Sequence, residues 1–268
     1  MISCLTVTMP ILERFEMLKR SIAAYQSQSF KDRELIVVMN SERGNLEVCK
    51  KLHQFVSELN DPTIRVIDVL EHCTMGKLRN ISVSEARGEV ICQWDDDDIF
   101  HPERLREQYA NLQSTDSDAN ILAETLLFQS QSRNLFYINW SQTPFRGFTG
   151  SLMSKKDALP RYPEHGENST LVEDSYVAKI MLDSGRMQTL KNKAFLFAYV
   201  VHGGNTWSGD FFEMLKNTLA ISKGLLERKK ELLLDEMQLL NFGSEPVFVE
   251  GSNGGAFIYQ SSSTSSNS

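Results

Sequence analysis

The segment Glu34–Met39 (ELIVVM) constrains the fold more than any other, because from Leu35 onward it offers no polar position. A near-continuous apolar run of that length suits a strand buried on both faces of a parallel sheet. The sequence on either side changes period. Phe15, Leu18, Ile22 and Tyr25 before it, and Val48, Leu52, Phe55 and Leu59 after it, recur at spacings of three and four, the stripe of a helix with one apolar face. Leu5–Thr8 opens the alternation as a short strand. After the turn at Asp61-Pro62, Ile64–Leu70 and Val90–Trp94 continue it as strands, separated by a short helix over Lys77–Ala86 that Gly88 closes. Such repeated βα units predict an α/β fold with a doubly wound, mostly parallel sheet, in which ligands bind beyond the carboxyl ends of the strands. Thr8, Asn40 and Asp95 fall at those ends.

After Pro102, which suits the first turn of a helix through Leu112, the pattern becomes more antiparallel. Ile121–Phe128 and Leu135–Trp140 read as a hairpin, Gly150–Met153 as a strand and Ala194–Val201 as a strand-sized apolar run. Val172–Leu182 reads as a helix ended by Gly185, and Asp210–Phe242 as a long, charged, leucine-rich amphipathic stretch. Beyond Gly243 the composition turns polar and ends in SSSTSSNS, which is expected to fray. The expectation is one domain over 1–242, built from halves at 1–105 and 106–208 and a helical segment at 209–242, with 243–268 as a flexible polar tail.

Composition narrows the function classes. With 41% hydrophobic and 24% charged residues the chain lies outside the disordered regime. Its formal charge of 28 − 35 = −7 is the wrong sign for a nucleic-acid backbone binder, so no nucleic-acid partner is expected. No run approaches the roughly 18 apolar residues that a bilayer span requires. Met1–Pro10 lacks a basic leader region and is soon followed by Glu13, so a soluble, cytoplasmic protein is expected. Cys4, Cys49, Cys73 and Cys92 form no CxxC pair and read as buried reduced thiols.

Chemistry concentrates at Asp95-Asp96-Asp97-Asp98, directly after the apolar ICQW strand. Four adjacent carboxylates repel one another and call for a countercharge. An acidic run is often only a solvated surface, but a buried strand before it and a helix start after it argue for a site. Hard divalent cations take oxygen ligands, and Mg²⁺ or Mn²⁺ held by one or two carboxylates plus substrate phosphates suits an acidic protein with an anionic ligand. An EF-hand does not fit, because its required glycine is missing.

The run TVTMPILER, the stretch SIAAYQSQSFKDRELIVV and the segment MGKLRNISVSEARGEVICQWDDDDIFHPERL, over Ile2–Leu105, closely resemble the nucleotide-binding half of glycosyltransferase family 2. That family has the GT-A fold and uses nucleotide-sugar donors. The resemblance implies that Asp95 and Asp97 form a DxD motif for a Mn²⁺- or Mg²⁺-bound donor diphosphate, with Asp96, Thr8, Pro10 and Asn40 among the donor contacts. Gly76, Lys77, Arg79 and Asn80 match its G-x-x-R-N segment, where a helix N-terminus with two cations suits phosphate. FRGFTGSLMSKKDALPRYPE and LVEDSY resemble its acceptor side, with Asp174 as the base and Glu173 orienting it or the acceptor. His202 resembles a late histidine that ligates metal or diphosphate. Trp140, Phe148 and Trp207 read equally as acceptor-stacking or as packing aromatics. Two departures concern base recognition: Leu12 stands where the family commonly has an aromatic residue, and Met39-Asn40 where it has an Asp pair.

The implied activity is metal-dependent, inverting transfer of a sugar to an acceptor hydroxyl in bacterial-type surface polysaccharide or glycoconjugate synthesis. The implied acceptor is a glycan or lipid-linked, and peripheral membrane association stays open. Two rivals remain. One is a non-catalytic nucleotide- or sugar-binding relative. The other is a metal-dependent phosphoryl enzyme, a nucleotidyltransferase or phosphatase, whose aspartate motif should follow the first strand and not the fourth.

Overall fold

A computed structural model describes residues 1–261. The first third alternates as its periodicity predicts: β1 (Ile2–Thr8), α1 (Leu12–Gln26), β2 (Arg33–Asn40), α2 (Leu46–Leu59), β3 (Ile64–Val69), α3 (Met75–Glu85) and β4 (Val90–Gln93). All eight residues of β2 are buried, as its unbroken apolar run requires. β1 pairs in parallel with β2 on one side and β4 on the other, setting Cys4 opposite both Leu35 and Cys92. Asn45 caps α2 by accepting from the Glu47 and Val48 amides, and Thr74 caps α3 by accepting from Lys77.

Two sheets organise the rest. The chain continues through β5 (Ile99–Phe100), α4 (Arg104–Ser114), β6 (Ala119–Leu122), β7 (Glu124–Gln129), β8 (Asn134–Asn139), β9 (Phe148–Lys155), α5 (Glu173–Asp183), β10 (Met187–Leu190) and β11 (Phe197–Val201). It ends with α6 (Gly209–Leu219), α7 (Lys223–Arg228), α8 (Lys230–Met237), β12 (Val247–Gly251) and β13 (Gly254–Tyr259). The first sheet runs β10-β6-β9-β4-β1-β2-β3, and a second, mixed sheet runs β13-β12-β8-β7-β11-β5.

The expected strand Ile121–Phe128 is really two, broken at Ala123. β6 joins the first sheet and β7 the second, while the Ala123 amide donates to the Leu190 carbonyl and its carbonyl accepts from Trp140. An apolar segment suits either sheet, so periodicity alone does not mark the crossing. The chain also crosses between the sheets at Asp95–Asp98, from β4 to the two-residue β5, which pairs with β11. Arg104 sits fully buried beside this seam, with its guanidinium over the Trp94, Phe100 and Phe197 rings at 5.2, 4.7 and 4.8 Å. It donates to the Gln93 carbonyl (2.8 Å) and to Gln108 (3.0 Å), so a buried charge is offset by aromatic faces and acceptors.

The carboxyl-terminal expectation needs one refinement and one correction. The helical segment over 209–242 consists of three short helices. The chain breaks after α6, where the Ile221 amide donates to the Tyr137 carbonyl. The ammonium groups of Lys229 and Lys230 lie over the Tyr137 and Phe257 rings at 5.4 and 5.7 Å, so this segment packs on its own domain. No helix among the described residues is long and apolar enough to cross a membrane.

Within 243–261, the expected flexible tail carries two paired strands instead. β12 runs parallel to β8 and antiparallel to β13, and Val247, Val249 and Tyr259 are buried in one cluster with Leu226, Leu233 and Met237. The Tyr259 hydroxyl donates to the Met237 carbonyl at 3.1 Å. Inward Val247 and Val249 alternating with outward Phe248 are a strand signal that the surrounding Gly and Ser obscured. Residues 262–268 of the expected tail lie outside the described residues. All four cysteines are free and buried, as expected.

Truncation after Gly243 removes three buried side chains, each worth about 1.5–3 kcal/mol, and a kcal/mol shifts Tm by about 2–4 °C at this size. A fall in Tm of about 10 °C or more is expected by circular dichroism. An unchanged melt would return this segment to the status of a tail.

Candidate active site

A cavity of about 560 Å³ opens where the two sheets meet. One wall is acidic and comes from Asp95–Asp98, with Glu173 and Asp174 from the first turn of α5. Much of the remaining lining is aromatic and includes Trp140, Phe145, Phe148, Tyr199, Trp207 and Phe211. Trp140 stacks on Phe148 at 4.9 Å between centroids, and Trp207 on Phe211 at 4.6 Å.

The four aspartates are not equivalent. Burial, reinforced by the charge on Asp97, pushes Asp96 up to about 7, although Arg14 and the Thr8 hydroxyl oppose the rise. Burial also pushes Asp98 well above the carboxylate range, although it accepts from the Val200 amide at 2.9 Å. Asp95 is raised by burial against the pull of Arg79. Only Asp97 is held low: burial opposes its charge, but a hydrogen bond with His202 (3.2 Å) and the charge of Arg14 outweigh that penalty. The site therefore holds one carboxylate firmly ionised among three that resist it.

Arg79 joins the two acidic segments. Its Nε donates to Glu173 at 2.8 Å and its Nη1 lies 3.6 Å from Asp95. Glu173 is buried, which raises it although Arg79 pulls the other way. Asp174 accepts from the Thr149 hydroxyl (2.9 Å) and from the Ser175 amide (2.6 Å), which fix the carboxylate against the cavity.

Of the site residues expected from sequence, Asp95, Asp96, Asp97, Arg79, Glu173 and Asp174 line this one cavity. His202 touches Asp97 without lining it. Thr8 is spent on Asp96, and Pro10 packs where a Cβ on Gly44 would meet its ring at 2.0 Å. Asn40 is buried at the end of β2, and its Oδ1 has no partner. Lys77 does not reach the cavity and pairs with Glu71 at 2.9 Å. Gly76 and Asn80 serve the architecture: a Cβ on Gly76 would lie 1.9 Å from the Pro163 carbonyl, and Asn80 holds Tyr162 and Glu164.

Sequence reasoning missed Arg14, Arg20, Gln93 and Thr149. Arg14 binds Asp96 and Asp97, Arg20 donates to the Asp97 carbonyl, and Gln93 donates to Asp95 at 3.0 Å. Four carboxylates demand cations, but nothing local says which arginines, some 80 residues earlier, will answer.

Among the described residues no group of three or more His, Cys, Asp or Glu side chains is arranged to hold a metal ion. Asp95, Asp97 and His202 are thus not brought together as a closed cage. The donor chemistry still fits a hard cation, since an ionised Asp97 and Asp95 present oxygens to one cavity and Mg²⁺-type sites draw their remaining ligands from phosphates and water.

Comparison with known proteins returned a family described as Glycosyl transferase family 2, which matches residues 6–158, more than half of the chain. The uncharacterized glycosyltransferase MJ1057 of Methanocaldococcus jannaschii is 28% identical over 44% of this chain and 39% of its own length. WcaA of Escherichia coli K12, a glycosyl transferase named for colanic acid biosynthesis, is 28% identical over 60% of this chain and 49% of its own. The chain thus spans less than half the length of these relatives. Among solved structures, S. aureus TarS in complex with UDP-GlcNAc superposes with a TM-score of 0.55 at 15% identity, covering 88% of this chain and 66% of that one. Mannosyltransferase PcManGT of Pyrobaculum calidifontis, in complex with GDP-Man and Mn²⁺, gives 0.58 at 12% identity, covering 87% and 64%. The fold is GT-A.

Replacing Arg79 by Met leaves Glu173 buried without its partner, an error that costs about 3–5 kcal/mol. At about 2–4 °C per kcal/mol, Arg79→Met should lower Tm by about 10 °C, and adding Glu173→Gln should recover much of that. Equal melting of wild type and Arg79→Met would mean that the bridge carries no weight.

Proposed function

Because this chain belongs to glycosyl transferase family 2, we propose that it is a metal-dependent, inverting transferase that moves a sugar from a nucleotide-sugar donor to an acceptor hydroxyl. The observation that carries this reading is the meeting, in one cavity, of an ionised Asp97 with an Asp174 fixed by Thr149. Residues 1–105 form the donor side and 106–208 the acceptor side. Solved proteins of the same fold bound to UDP-GlcNAc, and to GDP-Man with Mn²⁺, support the donor class. The likeness to WcaA, whose name refers to colanic acid biosynthesis, supports a place in surface polysaccharide or glycoconjugate synthesis, and a glycan or lipid-linked acceptor is proposed with it.

Asp95 and Asp97 would hold Mn²⁺ or Mg²⁺, with His202 beside Asp97. Such an ion, when bound, supplies positive charge against the diphosphate leaving group. The protein's own residues do the remainder. Asp174 takes the acceptor hydroxyl proton as that oxygen bonds to C1 of the sugar and the bond from C1 to the diphosphate oxygen breaks. A single displacement inverts C1, and the nucleoside diphosphate leaves with the electron pair. Thr149 and the Ser175 amide keep the Asp174 carboxylate aimed. Glu173, committed to Arg79, is a positioning residue. Trp140, Phe148 and Trp207 lower the local dielectric and offer flat apolar faces to an acceptor sugar. Asn40, buried at the end of β2 with an unpartnered Oδ1, would have to be uncovered to serve as the nucleobase contact expected there.

Asp174→Asn keeps the shape but removes the proton acceptor. Turnover should fall by about 10² or more while nucleoside diphosphate affinity stays within about twofold of wild type. A matched donor and acceptor assay settles it, and undiminished turnover would move the base to another residue.

A further inference from the structure

Arg14, near the start of α1, grips two neighbouring carboxylates unequally. Its Nη1 lies 2.5 Å from Asp96 Oδ1, and its Nη2 lies 3.3 Å from Asp97 Oδ2. The two acceptors differ in commitment. Asp96 is 1% exposed and is further fixed by the Thr8 hydroxyl, so its bond to Arg14 is an internal anchor. Asp97 shares the same Oδ2 between Arg14 (3.3 Å) and His202 (3.2 Å), and neither contact is reinforced by a second bond to that oxygen. Arg14 itself is 22% exposed at its side chain and lines the cavity.

A divalent cation that takes Asp97 competes with Nη2 of Arg14 for the same oxygen, but it leaves Nη1 fixed on Asp96. A guanidinium carries five donors in a rigid plane, so losing one partner frees N–H groups without freeing the side chain. We propose that Arg14 is a resident counter-ion which the metal displaces from Asp97 and which, still anchored by Asp96, becomes a ligand of the donor's diphosphate. Asp96 is then a positioning residue for Arg14 and not itself a donor contact. This inference rests on the donor reading above and adds a named residue for phosphate recognition, one that links metal arrival to it.

The role makes two affinities move in opposite directions. Without Arg14, Mn²⁺ alone meets an uncontested Asp97 and should bind several-fold more tightly, while UDP or GDP at saturating Mn²⁺ loses a charge-assisted contact worth about tenfold or more. Isothermal titration of wild type, Arg14→Ala and Arg14→Lys with Mn²⁺ alone, then with UDP and with GDP in Mn²⁺, reads both. A lysine ammonium cannot bridge both carboxylates as a planar fork does, so Arg14→Lys should show the same split at smaller size. It also serves if the alanine variant fails to fold. A merely structural Arg14 would weaken both affinities together, and that result, or no change in either, overturns the proposal. Wild type that binds neither UDP nor GDP in Mn²⁺ would instead remove the donor reading and this inference with it.

Discussion

Four consecutive carboxylates lie where the chain passes from one sheet to the other, and their mutual repulsion is the constraint that the rest of the molecule answers. A buried ion without a partner costs several kcal/mol, so each aspartate is either supplied with a donor or biased toward its neutral form. Arg14 and Arg20 come from α1, Arg79 from α3, His202 from the end of β11 and the Val200 amide from β11 itself. Each contact fixes another element against the seam. On the function proposed above, the residual acidity of the cavity would suit it to a ligand that brings its own cation.

Closeness of the two acidic segments depends on a small residue. Only glycine at position 76 lets α3 lie against the Pro163 backbone, and Asn80 then ties Tyr162 and Glu164 to the same helix. That contact brings the start of α5 within reach of Arg79, so Glu173 and Asp174 face the aspartates. The aromatic part of the lining lowers the local dielectric, which strengthens every charge interaction in the cavity. Acidic and aromatic surfaces are thus complementary parts of one environment.

Much of this was legible in the sequence where local physics decides the outcome. The unbroken apolar β2, the helical stripes of α1 and α2 and the carboxylate run each carry their meaning within a few residues, as do the strand ends that place Asp95. What could not be read depends on distant pairing. β5 has two residues and exists only because β11 accepts it, and Ala123 divides a uniformly apolar stretch between two sheets. Val247 and Val249 alternate like a strand but sit in polar surroundings, so their role is set by β8, over a hundred residues earlier. Arg14 lay in plain view within TVTMPILER, yet its partners follow 82 and 83 residues later. Lys77 illustrates the reverse error: it stands in a matching motif, but it turns to Glu71 instead of the cavity.

The central claim is that this acidic seam accepts an anionic nucleotide only together with a divalent cation. Thermal shift of the wild-type protein with UDP, GDP, CDP and dTDP, each with Mn²⁺ and with EDTA, tests it directly. At least one nucleotide should raise Tm in Mn²⁺ well beyond Mn²⁺ alone and leave it unmoved in EDTA. An equal rise in EDTA would contradict the account, since Asp95 and Asp97 would then be tolerating a diphosphate without the charge that their chemistry demands.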